Sequence, residues 1–120
     1  MIAKTPEPPY YAVIFTSIRT ERDREAYYAA SDRMVELAQD QPGFLGVESA
    51  RDGLGVTVSY WSSLDAIAAW KRHAEHVAVQ ANGRRGWYAA FKTRIARVER
   101  DYGFEWSEED GPSPSSTDAA

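Results

Sequence analysis

The stretch that decides the fold is Phe44–Trp61, FLGVESARDGLGVTVSYW. Both halves are rich in β-branched and aromatic residues, which are typical of strands. The Asp52-Gly53 pair between them is a strong signal of a tight hairpin turn. The sequence therefore predicts one strand over residues 44–51, a turn, and a returning strand over residues 55–61.

Two further elements are predicted before this hairpin. Residues 10–17, YYAVIFTS, form a first strand, since they are again aromatic and β-branched. The Thr20-x-x-Asp23 pair resembles a capping box and predicts the start of a helix, and Pro42-Gly43 predicts its end. The residues that recur at helical spacing, and so form its apolar face, are Tyr27, Ala30, Ser31, Met34, Leu37 and Ala38.

After the hairpin the sequence predicts a second helix and a last strand. Ser62-x-x-Asp65 is a cap for a helix over residues 64–82. Residues 87–91 fit neither element clearly, and residues 92–102 alternate as a strand does. The resulting order is that of an α+β ferredoxin-like (βαββαβ) domain, an antiparallel sheet with both helices on one face.

The predicted strands are apolar on both faces, although two helices can cover only one. In the first strand Val13 and Phe15 point to one side, and Ala12 and Ile14 point to the other. A sheet with one solvated face normally has polar residues there. We therefore expect the second face to pack against an identical chain, which makes the protein a homodimer through its sheet faces.

The length of 120 residues fits one folded domain. We expect a loose N-terminal segment over residues 1–9, the ferredoxin-like domain over residues 10–106, and a disordered acidic tail over residues 107–120. The chain has 14 Lys and Arg against 18 Asp and Glu, and four of these acids lie in the tail, so the domain is neutral. A neutral domain argues against nucleic-acid binding, which needs positive charge to offset the phosphates.

Several protein classes are excluded by what the sequence lacks. It has no cysteine, so disulfides, iron–sulfur clusters and thiol catalysis are excluded. No apolar run reaches the roughly 18 residues of a membrane-spanning helix. The first ten residues lack the apolar core of a signal peptide, so we expect a cytoplasmic protein. Nucleotide-binding and serine-hydrolase motifs are also absent from the sequence.

Three segments resemble the antibiotic biosynthesis monooxygenase family: PGFLGVES over residues 42–49, VSYWSSLDAIAAWKRHAEH over residues 58–76, and WYAAF over residues 87–91. The resemblance covers about residues 11–102. It implies a dimeric α+β barrel in which two sheets pack face to face. It also implies one of two chemistries, because some members oxidise polycyclic phenols with O₂ and without metal or flavin, whereas others bind and degrade haem.

Trp70 is the first site residue that the resemblance implies, because family members have a tryptophan there facing a pocket between helix and sheet. Its flat ring would hold an aromatic ligand by stacking. Trp61 would line the mouth of this pocket, and Tyr88 would donate a hydrogen bond to a developing oxyanion. The alternative for both tryptophans is packing, in the core or, for Trp61, at the dimer interface.

His73 and His76 are the only histidines, and helical spacing places them on one flank of the second helix. Either is a candidate general base that removes a phenolic proton, since imidazole titrates near neutral pH. The alternative is that both lie at the helix edge and contact solvent. Zinc normally has three protein ligands even in catalytic sites, and nothing in the sequence indicates Glu48 or a partner chain as the third, so no metal is expected.

Haem is disfavoured as a cofactor. In haem-degrading relatives a histidine about ten residues after the tryptophan binds the iron, and Gln80 stands there in this chain, although glutamine is not a usual axial ligand. A basic residue near the C-terminus, Arg94 or Arg97, is a candidate to steady an anionic phenolate.

The sequence thus predicts a cofactor-independent monooxygenase that oxidises a small aromatic or polyphenolic compound with O₂. His73 or His76 would be the base, and the ring would be bound by Trp61, Trp70 and Tyr88. Two alternatives stay open: a dimer that binds a small ligand without chemistry, and a haem-degrading monooxygenase.

Overall fold

The structure is a computed structural model that describes residues 1–80 and 86–107, with the side chains of all of these except 77–80. Its elements are β1 (Tyr10–Arg19), α1 (Arg24–Gln39), β2 (Phe44–Asp52), β3 (Leu54–Trp61), α2 (Leu64–Gln80) and β4 (Tyr88–Val98). The strands form one antiparallel sheet in the order β2-β3-β1-β4. The predicted ferredoxin-like βαββαβ fold is confirmed.

The hairpin forms as its sequence predicts. Asp52 pairs directly with Leu54, so Gly53 alone makes the turn. The φ angle of Gly53 is 78°, in the left-handed region that glycine adopts without the steric cost of a side chain. The register then runs to the far end of the hairpin, where Phe44 pairs with Trp61.

The predicted apolar face of α1 is also confirmed. The six residues named above are the only ones between Arg24 and Gln39 that are buried or half-buried. The predicted capping box is wrong, however. Asp23 has a φ of 50° and makes no side-chain cap, and the Thr20 hydroxyl donates instead to the carbonyl oxygen of Gly86. The Thr20 hydroxyl oxygen accepts the N–H of Arg22 at 3.2 Å, but α1 begins only at Arg24. The backbone N–H of Thr20 donates to the carbonyl oxygen of Trp87, so it cannot make the reciprocal bond of a capping box.

The start of α2 differs from the prediction by one residue. The Ala66 N–H donates to the Ser63 hydroxyl oxygen at 3.1 Å, so Ser63 is the cap. The backbone N–H of Ser62 donates instead to the carbonyl oxygen of Gly43. This hydrogen bond joins the residues before α2 to the loop before β2. The predicted end of this helix at residue 82 lies outside the described residues. No helix in the described ranges is long and apolar enough to cross a membrane.

The last strand begins earlier and ends earlier than the sequence predicts. It begins at Tyr88, which pairs with Arg19 across a register shift, and it ends at Val98, which pairs with Tyr10. Since Tyr10 is the first residue of β1, the chain beyond Val98 has no β1 partner to continue the sheet. The segment 88–91 is therefore strand, and the predicted strand ending at residue 102 is wrong.

Each strand presents one side to the helices and one side away from them. We define the helix face as the side on which Arg19 contacts Tyr27 of α1 and Trp61 contacts Trp70 of α2. Phe15 lies on the same side, four residues before Arg19 in β1. The outer face has the alternate positions, among them Ile14 and Val58, which pair with each other. Both faces have apolar side chains, as the alternation predicts.

The residues before β1 form neither helix nor strand. They contact the outer face, since the Ala3 N–H donates to Glu48 at 2.9 Å and the Thr5 hydroxyl donates to the Tyr10 hydroxyl oxygen at 3.0 Å. The domain limits at residues 10 and 106 stay predictions. The predicted disordered tail lies, apart from Ser107, outside the described residues.

Gly43→Ala is expected to lower the free energy of unfolding by about 3 kcal/mol. Gly43 has a φ of 85°, and a methyl group there would come within 2.7 Å of both Ala66 and Ser62. Gly53→Ala is the matched control, because its φ is similar and nothing lies within 4 Å of the added atom. It should lose only about 1 kcal/mol. Urea denaturation measures both losses, and equal losses would contradict the close packing of Gly43 against α2.

Candidate functional site

A tryptophan cluster lies between α2 and the sheet, formed by Phe44, Trp61, Trp70 and His73. The rings of Trp61 and Trp70 are stacked, with centroids 5.9 Å apart and planes at 24°. Phe44 meets Trp61 edge-on at 5.4 Å. Trp61 is 0% exposed and donates its indole N–H to Ser59 at 2.9 Å. Trp61 therefore packs in the core, whereas Trp70 is only half-buried and keeps a surface that a ligand can contact.

His73 extends this cluster by one turn of α2. Its ring lies 5.8 Å from that of Trp70, tilted by 40°. Its Nε2 atom is buried, and it has no hydrogen-bond partner among the described residues. A buried polar nitrogen without a partner is destabilising, and most such groups in folded proteins are paired. The Nε2 atom of His73 is therefore a candidate contact for a ligand.

The structure separates the two histidines that helical spacing placed on one flank. His73 adjoins the buried side of α2 with Ile67 and Trp70, whereas His76 is exposed. Only His73 joins the tryptophan cluster. The other residues predicted for the apolar side of this helix, 77, 78 and 81, have no described side chains.

A tyrosine cluster lies further along the helix face, formed by Phe15, Tyr27, Tyr88 and Phe91. Phe15 lies 5.4 Å from both Tyr88 and Phe91, and Tyr27 lies 5.7 Å from Tyr88. Burial, followed by a hydrogen bond with Tyr27, raises the pKa of Tyr88 well above its ordinary value. Tyr88 therefore stays protonated at neutral pH, as a donor to a developing oxyanion must be.

Two arginines that the sequence analysis did not select lie beside this tyrosine cluster. The guanidinium carbon of Arg19 sits 3.8 Å above the Tyr27 ring, and Arg51 donates to the Ser17 hydroxyl oxygen at 2.6 Å. Alternation along β1 could have indicated Arg19 in the sequence, since Arg19 shares a face with Phe15.

The two arginines that the sequence analysis did propose lie on opposite faces of the sheet. Arg94 pairs with Ile14 on the outer face, and Arg97 pairs with Tyr11 on the helix face.

Within residues 1–80 and 86–107, no three His, Asp or Glu side chains come together as metal ligands would. Glu48, which the sequence analysis considered as a third ligand, lies on the outer face with Tyr60, so the sheet separates it from His73. The side chain of Gln80 is not described.

Glu48→Gln is expected to remove about 1 kcal/mol of stability at pH 7. The Glu48 carboxylate accepts hydrogen bonds from the Tyr60 hydroxyl and the Ala3 N–H, which lower the pKa of Glu48. Burial and this carboxylate raise the pKa of Tyr60 to about 12. Because the folded pKa of Glu48 is below its unfolded value, its contribution is present above the unfolded pKa and is lost as pH falls through the folded one.

Urea denaturation of wild type and Glu48→Gln at pH 7 and pH 3 checks this prediction. The difference in the free energy of unfolding should be largest at pH 7 and shrink towards zero at pH 3. Glu36→Gln is the control, since its exposed pair with Arg33 should contribute only a few tenths of a kcal/mol, about the value of a surface pair. A difference for Glu48→Gln that does not change with pH would contradict the pKa argument.

Comparisons with known proteins identify the family. Residues 9–82 match the family model described as antibiotic biosynthesis monooxygenase. The uncharacterized protein YqjZ of Bacillus subtilis is 55% identical over 106 residues, which cover 87% of this chain and 92% of YqjZ.

Two solved structures share the fold. SnoaB, a cofactor-independent oxygenase from Streptomyces nogalater, has a TM-score of 0.63 at 13% identity, covering 77% of this chain and 95% of its own. PA3566 from Pseudomonas aeruginosa has a TM-score of 0.61 at 17% identity, covering 81% and 99%. Since the family model matches more than half of the chain, this protein belongs to the antibiotic biosynthesis monooxygenase family.

Proposed function

We propose that this protein is a monooxygenase that oxidises a small aromatic or polyphenolic compound with O₂ and without a cofactor. The observation that carries the proposal is the buried, unpartnered Nε2 of His73 beside the stacked pair Trp61 and Trp70. Family membership supports a monooxygenase or small-molecule-binding role. The similar fold of SnoaB, a cofactor-independent oxygenase, adds support for the first of these.

In this proposal His73 is the general base. A neutral imidazole nitrogen accepts the phenolic proton, and the resulting phenolate is electron-rich enough to reduce O₂. For an anthrone-type substrate, the CH₂ carbon loses two hydrogens and gains one oxygen atom, while the other oxygen atom leaves as water. The carbon loses four electrons and O₂ gains four, so no external reductant is needed.

The other groups of the site bind and orient the substrate. Trp70 offers a half-buried indole face for stacking against an aromatic ring, and Trp61 holds that indole in place from the core side. Tyr88 lies in the tyrosine cluster further along the helix face, so it would donate a hydrogen bond to the developing charge of a substrate that extends from Trp70 to that cluster. His76 is exposed and is not assigned the role of base.

Oxygen uptake by the metal-stripped protein tests the proposal. The panel should contain phenols, anthrones and naphthalenediols, with Trp70→Ala as the comparison variant. We expect uptake with at least one compound, one O₂ consumed per quinone formed, and loss of uptake in Trp70→Ala. Uptake that is unchanged in this variant would contradict the assigned site.

A second candidate function is the binding of a small ligand without chemistry. It is favoured by the tryptophan cluster, in which His73 is the one titratable side chain. Native mass spectrometry of the purified protein distinguishes the two functions. A bound, unreacted aromatic compound together with no uptake across the panel would favour binding alone. For the haem-degrading alternative, a haem titration should show no change in the Soret band.

We also propose that the protein is a homodimer through its outer face. Ile18 and Leu54 pair with each other on that face and are 48% and 52% exposed. Ile14, Val56 and Val58 continue the same apolar surface along β1 and β3. A contiguous apolar surface of this kind on one chain is typical of an interface, and two identical sheet faces related by a two-fold axis would cover each other.

Val58→Lys is expected to convert this dimer to a monomer, because it would place a charged side chain from each chain in the apolar interface. Size-exclusion chromatography with light scattering should show the mass falling from twice 13.5 kDa to 13.5 kDa. Val35→Lys is the matched control, since Val35 is an exposed valine on α1, and this variant should stay dimeric. A wild-type protein that is monomeric at micromolar concentration would contradict the proposal.

A further inference from the structure

We propose that Arg19 and Arg51 form a binding site for a carboxylate group, so that the ligand of this protein is an aromatic carboxylate. The site lies on the helix face at the end of β1, beside the tyrosine cluster. The proposal rests on the proposed function in one respect, that the ligand is aromatic, and it adds the charge of that ligand.

The path of the Arg51 side chain is the first observation. Arg51, Gly55 and Ser17 are register partners, so they form a row across β2, β3 and β1. The Arg51 guanidinium crosses over Gly55, where any Cβ atom would overlap it. It then donates to the Ser17 hydroxyl oxygen at 2.6 Å and to the Ser17 carbonyl oxygen at 3.4 Å. The glycine and the buried serine thus hold this positive charge against the sheet.

The second observation is the environment of Arg19. One face of its guanidinium is covered by the Tyr27 ring at 3.8 Å, a cation–π contact. Its Nε and Nη2 atoms are buried, and neither has a hydrogen-bond partner among the residues that the structure describes. A buried guanidinium normally has its donors paired, because leaving a charged donor without a partner is costly. These two donors therefore indicate a group that binds there.

The two arginines lie beside the same part of β1, since Arg51 donates to Ser17, which is two residues before Arg19 and on the same face of the strand. Both positive charges also oppose the rise in the pKa of Tyr88 that burial causes. Among residues 1–80 and 86–107, the one ion pair joins Arg33 to Glu36, so neither Arg19 nor Arg51 has a carboxylate partner within the described ranges. Two convergent cations without an acid favour an anion as the ligand.

The neighbouring side chains indicate what the anion is attached to. Phe15 and Phe91 lie next to Tyr88, and their rings are stacked at 5.4 Å. Phe91 is 46% exposed, so a ring can contact it. Arg51 is exposed as a whole, which leaves the cation accessible to solvent and to a ligand. The planar fork of an arginine matches a carboxylate through two parallel hydrogen bonds, and the phenylalanines supply an apolar surface for the attached ring.

Calorimetric titration with two unreactive probes of the same ring tests the proposal. Naphthoate has the carboxylate, and naphthalenemethanol replaces it with a neutral hydroxymethyl group. We expect naphthoate to bind at least about tenfold more tightly to the wild type, as one charge-assisted contact would give. This preference should fall as salt is added, since a partly exposed ion pair is screened.

Substitutions of the two arginines test whether they cause the preference for naphthoate over naphthalenemethanol. Arg19→Gln and Arg51→Gln should each lower the affinity for naphthoate about tenfold and leave that for naphthalenemethanol unchanged. Arg33→Gln, an exposed arginine on α1, should change neither affinity. If Arg51→Gln does not fold by circular dichroism, Arg51→Lys replaces it. Lysine retains the charge but loses the planar fork, so it should retain only part of the preference.

Equal affinity of the two probes for the wild type would overturn the carboxylate site, and so would a preference that survives in both arginine variants. Neither result depends on oxygen uptake. The proposed monooxygenase function is tested by turnover and Trp70→Ala, so each proposal can fail while the other stands.

Discussion

His73→Gln is expected to lower the rate of oxygen uptake with a reactive phenol about 100- to 10,000-fold, the usual contribution of a general base. Glutamine resembles histidine in size, so the packing against Trp70 should survive. Its amide cannot accept a proton at neutral pH, and the phenol would have to lose its proton to water. This substitution removes the buried Nε2 of His73, which has no hydrogen-bond partner within the described part of the chain.

His76→Gln is the matched control for this prediction. The same substitution is made on the same helix, but on an exposed residue outside the tryptophan cluster, so the rate should change less than about threefold, well below the effect of a lost base. A second control uses the substrate. With a phenol acidic enough to be ionised in the assay, His73→Gln should lose most of its effect, because no proton remains to be removed. Equal losses in the two histidine variants with the phenol that is protonated in the assay would contradict the role of His73, and so would a loss in His73→Gln that is just as large with the ionised phenol.

Local sequence patterns were sufficient to predict the hairpin, the buried face of α1 and the apolar character of both sheet faces. The turn preference of Asp52-Gly53 is a property of these two residues alone, so it can be recognised in the sequence. The six apolar positions of α1 need only helical periodicity, and all six prove to be its less exposed residues. The apolar character of both sheet faces likewise follows from alternation in β1.

Contacts between distant residues explain where the predictions were wrong. The predicted capping box does not form because the backbone N–H of Thr20 donates to Trp87 and its hydroxyl donates to Gly86, which is 66 positions away in the chain. The limits of β4 are set by the limits of β1, through the pairs of Tyr10 with Val98 and of Arg19 with Tyr88. No pattern inside residues 87–102 contains that information.

The residues of the candidate site also divide into those that could be selected from the sequence and those whose position depends on distant contacts. The resemblance implied Trp70, helical spacing gave His73 as one of two candidate histidines, and Trp61 was a candidate at the end of a predicted strand. The structure brings these three together. Arg51 could not be selected from the sequence, because its position depends on the register that sets Gly55 opposite it. One residue of slippage would place a side chain where the guanidinium crosses the sheet.

Trp61→Ala is expected to lower the free energy of unfolding by about 3–5 kcal/mol, the range for removing a large aromatic ring from a core. Trp61 is 0% exposed, and Phe44 and Trp70 both contact its ring. The total stability of a domain is typically about 5–15 kcal/mol, so this one substitution would remove much of it. Urea denaturation followed by far-ultraviolet circular dichroism measures the loss without relying on the tryptophan signal.

Two matched variants separate core packing from ligand binding in this cluster. Trp61→Phe retains a ring but loses the hydrogen bond to Ser59, and it should cost about 1–2 kcal/mol. Trp70→Ala removes a half-buried ring, so it should cost less stability than Trp61→Ala while abolishing oxygen uptake. If instead Trp61→Ala were tolerated and Trp70→Ala unfolded the protein, Trp70 would be the core residue. The stacked pair would then have to bind its ligand through Trp61, and the assignment of Trp70 as the ring that contacts the substrate would be wrong.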